Sequence, residues 1–141
     1  MAACTFFGHR DSPSCIREVL SEEIEKLIAE KGVDTFYVGT HGNFDRMAYT
    51  VLKGLRERNS HIKIYRVLAY MPKLGDTDTY DTIVPEGIET TYPRYAIIKR
   101  NKWMIDHSDY VIAYVTHTFG GAYQAVERAK RKKITVISVV K

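Results

Sequence analysis

Short apolar segments alternate with amphipathic segments along the whole chain. Residues 109–115 and 134–140 are almost continuously apolar, which is typical of parallel strands that are covered on both faces. In the amphipathic segments apolar residues recur three and four positions apart, as at Ile16, Val19 and Leu20, and this spacing predicts helices with one buried face. The predicted strands are residues 3–8, 35–39, 62–69, 110–115 and 134–140, and the predicted helices are residues 13–31, 43–58, 94–107 and 121–132.

The ends of the first predicted helix carry specific signals. Ser12 is expected to cap the helix, Pro13 to occupy its first position and Gly32 to end it. Five strands joined by four helical crossovers indicate a doubly wound sheet. We therefore predict a single α/β domain over residues 1–141, a Rossmann-like five-stranded parallel sheet with helices on both faces.

Residues 70–92 interrupt this alternation with a long irregular stretch. Loops of that length are usually functional or conceal a missed element, and we expect an ordered loop near a ligand. Its acidic residues Asp76, Asp78 and Asp81 suggest a calcium-binding loop. However, the sixth position of such a loop is Asp81 rather than glycine, and the twelfth is Gly87 rather than glutamate. No metal site and no cofactor are expected.

The composition is typical of a soluble globular protein, with 45% hydrophobic and 27% charged residues. No apolar run approaches the roughly 18 residues that a membrane helix needs, so no membrane partner is expected. The first seven residues lack the basic region of a secretory signal, and two cysteines, Cys4 and Cys15, fit a reducing compartment. These features predict a cytoplasmic protein.

A net charge of +4 suits anionic partners. The densest basic run, residues 128–133, lies at the end of the last predicted helix, where cations complement the helix dipole. Aromatic residues are not interleaved with these charges, so a nucleic acid is not expected as the partner.

Three predicted strands end in polar turns that contain glycine, at residues 7–11, 38–43 and 115–122. In an open parallel sheet such turns lie at one edge, where ligands bind. Gly120 and Gly121 would let the backbone approach a ligand, and the following helix would offer its first N–H groups to an anion. The dinucleotide fingerprint and the P-loop are both absent from the sequence. The pattern therefore indicates a different kind of nucleotide or sugar-phosphate site.

The candidate ligand-binding residues come from these turns and from the basic helix before the fourth predicted strand. Asp45 is either a partner of the helix dipole or an acceptor for a ribose hydroxyl, and Asn43 either caps its helix or contacts the ligand. Trp103 is either a core residue or a stacking platform. The full set is Gly8, His9, Arg10, Asp11, Gly39, His41, Gly42, Asn43, Asp45, Arg94, Lys99, Arg100, Trp103, Thr116, Gly120 and Gly121.

The order of these motifs resembles the SLOG superfamily, which groups the DprA-like DNA-processing proteins with the Lonely-Guy-type phosphoribohydrolases. Within it the chain is most similar to the small YpsA-like branch found in bacteria and phages. Four segments carry the resemblance, namely Thr-Phe-Phe-Gly-His-Arg-Asp at 5–11, Phe-Tyr-Val-Gly-Thr-His-Gly-Asn-Phe-Asp-Arg-Met at 36–47, Lys-Arg-Asn-Lys-Trp-Met-Ile at 99–105 and Thr-His-Thr-Phe-Gly-Gly-Ala at 116–122.

The resemblance implies a nucleotide-derived ligand in a Rossmann-like cleft, and a homo-oligomer. In the phosphoribohydrolases an arginine before the fourth strand and a glutamate after the Gly-Gly turn support cleavage of the base–ribose bond. Arg100 matches that arginine. Glu127 lies on the corresponding helix one position later than the family spacing, a rotation of about 100°.

Two functions follow from the resemblance. In the first, the protein binds a phosphorylated nucleoside derivative as a sensor, carrier or sequestering protein. In the alternative, it is a nucleoside monophosphate N-glycosidase with Arg100 and Glu127 as catalytic residues, or with Asp11 or Asp45 in place of the glutamate. The sequence leaves open whether the ligand is hydrolysed.

Overall fold

A computed structural model describes residues 2–70 and 81–140 of the chain, and in these residues a parallel sheet of six strands is flanked by four helices. The strands are β1 (Ala2–Gly8), β2 (Val33–Val38), β3 (Lys63–Val67), β4 (Thr82–Ile83), β5 (Tyr110–Tyr114) and β6 (Thr135–Ser138). The helices are α1 (Arg17–Lys31), α2 (Gly42–Arg56), α3 (Pro93–Asp106) and α4 (Gly121–Arg131). The predicted doubly wound α/β fold is confirmed.

The strand order is β4-β3-β2-β1-β5-β6, and every neighbouring pair is parallel. The chain moves from β1 toward one edge of the sheet and then returns to place β5 on the other side of β1. The order therefore reverses between β1 and β5, where Gly8 is in register with Tyr114. The crevice beyond the carboxyl ends of these two strands is the usual ligand position in such a sheet.

The predicted count of five strands is wrong, because β4 forms within the long segment that was expected to be a loop. Arg66 and Val67 pair with Thr82 and Ile83, and the Leu68 N–H donates to the Ile83 carbonyl at 2.9 Å. Two residues are too few to produce a recognisable alternation of polar and apolar positions. Residues 71–80, which include Asp76 and Asp78 and part of the predicted ligand loop, lie outside the described residues.

The two ends of the first helix differ in how well they were predicted. Gly32 ends α1 in the left-handed conformation, with φ of 65°, as expected. Ser12 does not cap α1, because a 3₁₀ turn at Ser14–Ile16 precedes the helix. The Ser12 hydroxyl instead donates to the His9 carbonyl at 2.6 Å and so stabilises the turn after β1.

The two faces of the sheet carry separate apolar clusters. The larger cluster joins α1 and α2 to the sheet, and its fully buried members include Leu20, Phe36 and Leu52. The smaller cluster joins α3 and α4 to the other face and includes Met104 and Ala129. Within the described ranges, no helix has the combination of length and apolar character required to cross a bilayer.

Candidate functional site

Three turns meet beyond the carboxyl ends of β1, β2 and β5, and direct hydrogen bonds connect them. The Asn43 N–H, at the start of α2, donates to the Arg10 carbonyl at 2.8 Å. The Thr116 N–H, just after β5, donates to Nε2 of His9 at 2.9 Å. The turn after β1 is thereby attached to both of its neighbours, and the predicted convergence of the three glycine-containing turns is observed.

A cavity of about 400 Å³ opens among these turns. Its size lies within the range of small-molecule sites, which is roughly 300–1,000 Å³. Nine of the predicted site residues line it, namely Gly8, His9, Arg10, Asp11, His41, Asp45, Arg100, Gly120 and Gly121. The remaining lining residues are Phe7, Ile97, Asn101, His117 and Ala122.

A larger groove, of about 650 Å³, lies between α1 and α2. Exposed Cys15 lines it, together with exposed charged residues such as Arg17 and Glu18. The other cysteine, Cys4, is fully buried in the core, where desolvation raises the pKa of its thiol. None of the buried polar side chains that converge on the smaller cavity faces this groove, so we assign the candidate site to the smaller cavity.

Arg100 on α3 is buried to 4% exposure, and its guanidinium contacts two elements. Nε and Nη2 donate to the Asn101 side-chain carbonyl at 3.2 and 3.0 Å, while Nη1 donates to Nδ1 of His41 at 3.2 Å. These three bonds fix the plane of the guanidinium at the cavity wall. A buried cation held in this way is prepared to receive a planar or tetrahedral anion.

Asp45 supplies the opposite charge from the first turn of α2. Its side chain is buried, and Oδ2 accepts a hydrogen bond from the His41 N–H at 3.0 Å. A Cβ atom added at Gly39 would lie 2.6 Å from Asp45 Oδ2 and 2.8 Å from Arg100 Nη1. Glycine at position 39 therefore leaves the space in which this buried charge pair assembles.

Burial changes the protonation of this group of side chains. Desolvation raises the pKa of Asp45 to about 6, although the Arg100 charge and the hydrogen bond from His41 both act to lower it. Desolvation also lowers the pKa of His41, and the charges of Arg100 and Arg10 lower it further. His41 is therefore neutral at pH 7, and because Nδ1 accepts from Arg100, its ring proton is on Nε2.

A stack of three rings runs along the wall formed by the turns after β1 and β5. The His9 and His117 ring centroids are 3.7 Å apart with 15° between the planes, and those of His117 and Phe119 are 3.9 Å apart with 18° between the planes. His9 is neutral, because desolvation and the neighbouring His117 lower its pKa while Asp11 opposes them. The His9 and His117 rings of this stack line the cavity.

The start of α4 provides backbone donors at the same cavity. Gly120 has φ of 92°, a conformation that favours glycine, and no side chain caps the helix. The N–H groups in the first turn of a helix lack intrahelical acceptors and lie at the positive end of its dipole. With Gly121 and Ala122 on the cavity wall, these donors lie in the same cavity as the Arg100 guanidinium.

Several predicted residues support the site without lining the cavity. Gly39 accommodates the charge pair, Gly42 packs against the Arg10 backbone, and Thr116 orients His9. Asn43 does not cap α2, since the N-cap residue is His41. The contribution of Asn43 is the hydrogen bond from its backbone N–H to the Arg10 carbonyl.

The structure does not bring the remaining predicted residues to the cavity. Arg94 lies over the Tyr95 ring, and Lys99 lies beside Gly87. Trp103 packs edge-on against Tyr37 and face-on against His107, which matches the core alternative. Glu127 pairs with Lys130 at 3.6 Å and lines two outer grooves of α4.

Asn101 and His117 are parts of the site that the sequence did not identify. Asn101 follows Arg100 directly, and this proximity could have identified it as a site residue. The hydrogen bonds that its side-chain carbonyl accepts from Arg100 are visible only in the structure. His117 lies in the third predicted turn, but its stacking on His9 is visible only in the structure. In the described part of the chain, no three His, Cys, Asp or Glu side chains are grouped so as to hold a metal ion.

The fold is similar to that of DNA processing protein A (DprA) from Streptococcus pneumoniae, with a TM-score of 0.71 and 16% sequence identity. The match covers 98% of this chain and 50% of that protein, so the chain spans about half its length. No protein-family model and no curated protein sequence matches the chain. The YpsA-like branch, the nucleotide ligand, the homo-oligomer and the cytoplasmic location stay predictions. The predicted Rossmann-like fold is confirmed by its similarity to the fold of DprA, and the assignment to the SLOG superfamily stays a prediction.

Proposed function

We propose that the chain binds a phosphorylated nucleoside derivative in the cavity between the ends of β1 and β5, as a sensor, carrier or sequestering protein. The observation that carries this proposal is that buried Arg100 and the uncapped start of α4 line one cavity. Both features favour an anion, and they come from different elements, so a phosphate would receive charge from one side and N–H groups from the other.

The other polar groups of the cavity suit the rest of such a ligand. Asp45 and neutral His41, which also line the cavity, offer an acceptor and a donor for the ribose of such a ligand. The cavity volume of about 400 Å³ fits a small molecule rather than a polymer.

Thermal unfolding with nucleoside 5′-monophosphates, and with the same nucleosides lacking phosphate, tests the proposal. We expect stabilisation by the phosphorylated compounds alone, and a nucleotide-like compound released from natively purified protein on denaturation. Arg100→Gln should weaken binding about 10- to 150-fold, the range for a lost charged hydrogen bond of roughly 1.5–3 kcal/mol. Arg100→Lys, which keeps the charge without the planar fork, should weaken it less.

Lys99→Ala is the matched control, because Lys99 carries the same charge on the same helix and lies beside Gly87, away from the cavity. It should leave the affinity unchanged. Absence of any stabilisation across the whole panel, or equal losses in the Lys99 and Arg100 variants, would refute the assignment of the anion site.

A second candidate function is hydrolysis of the N-glycosidic bond, and the position of Asp45 favours it over the assignment to Glu127. Asp45 lines the cavity and has a pKa near 6, as a group that exchanges protons near neutral pH requires. In this reaction the oxygen of water bonds to C1′, the bond from C1′ to the base breaks, and the water proton passes through the carboxylate to the base. The carboxylate would also stabilise positive charge on the ribose.

Release of free base from nucleoside 5′-monophosphates, followed by chromatography, tests this second function. Asp45→Asn should abolish the release, while Glu127→Gln should retain it. The opposite pattern would return the catalytic role to Glu127, and unchanged release in both variants would exclude both carboxylates.

A further inference from the structure

The ring stack beside the cavity ends in an aromatic side chain that the protein itself does not bury. Phe119 is 67% exposed although one face of its ring lies on His117. A single exposed aromatic residue is ordinary on a protein surface. Here, however, the exposed ring is the outermost layer of an ordered stack whose two inner rings line the cavity.

Hydrogen bonds and a ring contact hold the stack in place. His9 accepts from the Thr116 N–H at 2.9 Å and contacts the Tyr114 ring edge-on, and Nδ1 of His117 lies 3.1 Å from the Phe119 carbonyl. Phe119 therefore rests on a fixed support. Its outer surface is a flat apolar face, which is the kind of surface on which nucleobases stack.

Phe119 lies close in the chain to the backbone donors at the start of α4. It precedes by two residues Gly121, where α4 and its N–H donors begin. In a nucleoside 5′-phosphate a single ribose separates the base from the phosphate. One turn of the chain can thus hold the phosphate at its helical end and the base at its aromatic end.

We propose that Phe119 is the stacking platform for the base, so that the ligand is a free nucleotide with a planar base rather than a sugar phosphate. This inference rests on the proposed anion site and adds a specificity-determining residue to it. The ring contributes to affinity only when the ligand carries a base. Ribose 5-phosphate, which shares the phosphate and the sugar, is the natural comparison.

Titration calorimetry with a purine nucleoside 5′-monophosphate and with ribose 5-phosphate tests the inference. The wild-type protein should bind the nucleotide about 5- to 150-fold more tightly, from the 1–3 kcal/mol typical of base stacking. Phe119→Leu, which keeps an apolar side chain but removes the flat face, should lose most of that preference without changing the affinity for ribose 5-phosphate. Phe119→Tyr should retain the preference. The exposure of Phe119 makes all three proteins suitable for comparison at equal fold stability.

Each result bears on one of the two proposals. If both compounds bind and Phe119→Leu leaves their ratio unchanged, the platform is refuted and the anion site stands. If neither compound binds the wild-type protein, the anion site is refuted and the platform with it. If a short 5′-phosphorylated oligonucleotide binds more tightly than the mononucleotide, through Phe119, the free nucleotide is the wrong ligand.

Discussion

The two faces of the sheet are built for different purposes. On the face covered by α1 and α2, large apolar side chains such as Phe36, Leu20 and Leu52 are completely buried in one continuous cluster. On the face covered by α3 and α4, the apolar cluster is smaller and relies on alanines at α4, and α3 buries the polar pair Arg100 and Asn101.

This difference shows where the free energy of folding arises. Apolar burial stabilises by about 25 cal/mol per Å² and needs no specific partner. A buried guanidinium loses its hydration. The hydrogen bonds and charge interactions that it makes rarely stabilise the fold by more than this loss costs. We infer that the first face provides most of the stability, and that the second face gives up packing to hold a preorganised site.

The largest expected effect is on the first face. Phe36→Ala removes a fully buried ring that stacks on Phe6, with 6.3 Å between the ring centroids. It should lower the free energy of unfolding by about 3–5 kcal/mol. Denaturation in urea measures this loss. A loss below about 1 kcal/mol would break the comparison, because it would mean that the larger cluster does not carry the stability.

The next effect concerns pH and the charge pair of the site. The pKa of Asp45 in the folded protein is about 6, above the ordinary 3.8, so its contribution to stability is fully present below pH 4 and is lost as pH rises through 6. The loss amounts to as much as about 3 kcal/mol for two pKa units. Asp45→Asn should remove this part of the pH dependence.

The effect is measured as the difference in unfolding free energy between the wild-type and Asp45→Asn proteins from pH 4 to pH 7. His9 and His41 have lowered pKa values, so their contributions are lost as pH falls below the ordinary 6.5, the opposite direction. They are present in both proteins and cancel in the subtraction. Parallel stability curves would show that Asp45 is not a destabilised buried carboxylate.

The smallest effect comes from the hydroxyl of Ser108, between α3 and β5, which is buried with no hydrogen-bond partner among the described residues. Ser108→Ala should be neutral or stabilising by up to about 1 kcal/mol, because an unsatisfied polar group is removed. Thr5→Val is the matched control. Its hydroxyl donates to the Tyr37 carbonyl at 2.9 Å, so the same kind of change should cost about 1 kcal/mol. If both substitutions shift the midpoint of thermal unfolding in the same direction, the hydrogen-bond assignment is contradicted.

The pattern of the sequence predicts most of the fold, because the long strands and helices have clear periods. β5 was predicted as residues 110–115 and α4 as 121–132, each within one residue of its observed end. β4 was missed since its two residues form a strand only through pairing with β3. Its existence depends on a tertiary contact that no local pattern records.

The site was predictable at the level of its turns and less so at the level of its side chains. Glycines mark the three turns in the sequence, and all three turns converge. Arg100 and Lys99 look alike in the sequence, and only the orientation of α3 against the sheet buries one and exposes the other. Glu127 lies outside the cavity for the same reason, because its position on α4 places it in two outer grooves.

The bond from Thr116 to His9 joins residues that are 107 positions apart. A nascent chain emerging from the ribosome can therefore complete β1, β2 and α2 long before the cavity has its second wall. Small-molecule recognition here would therefore require synthesis to pass the turn after β5, which contributes His117, Gly120 and Gly121 to the cavity. A chain that ends before residue 116 could not be rescued by the ligand, whereas a chain that includes residues 116–122 would be stabilised in its native state by bound ligand.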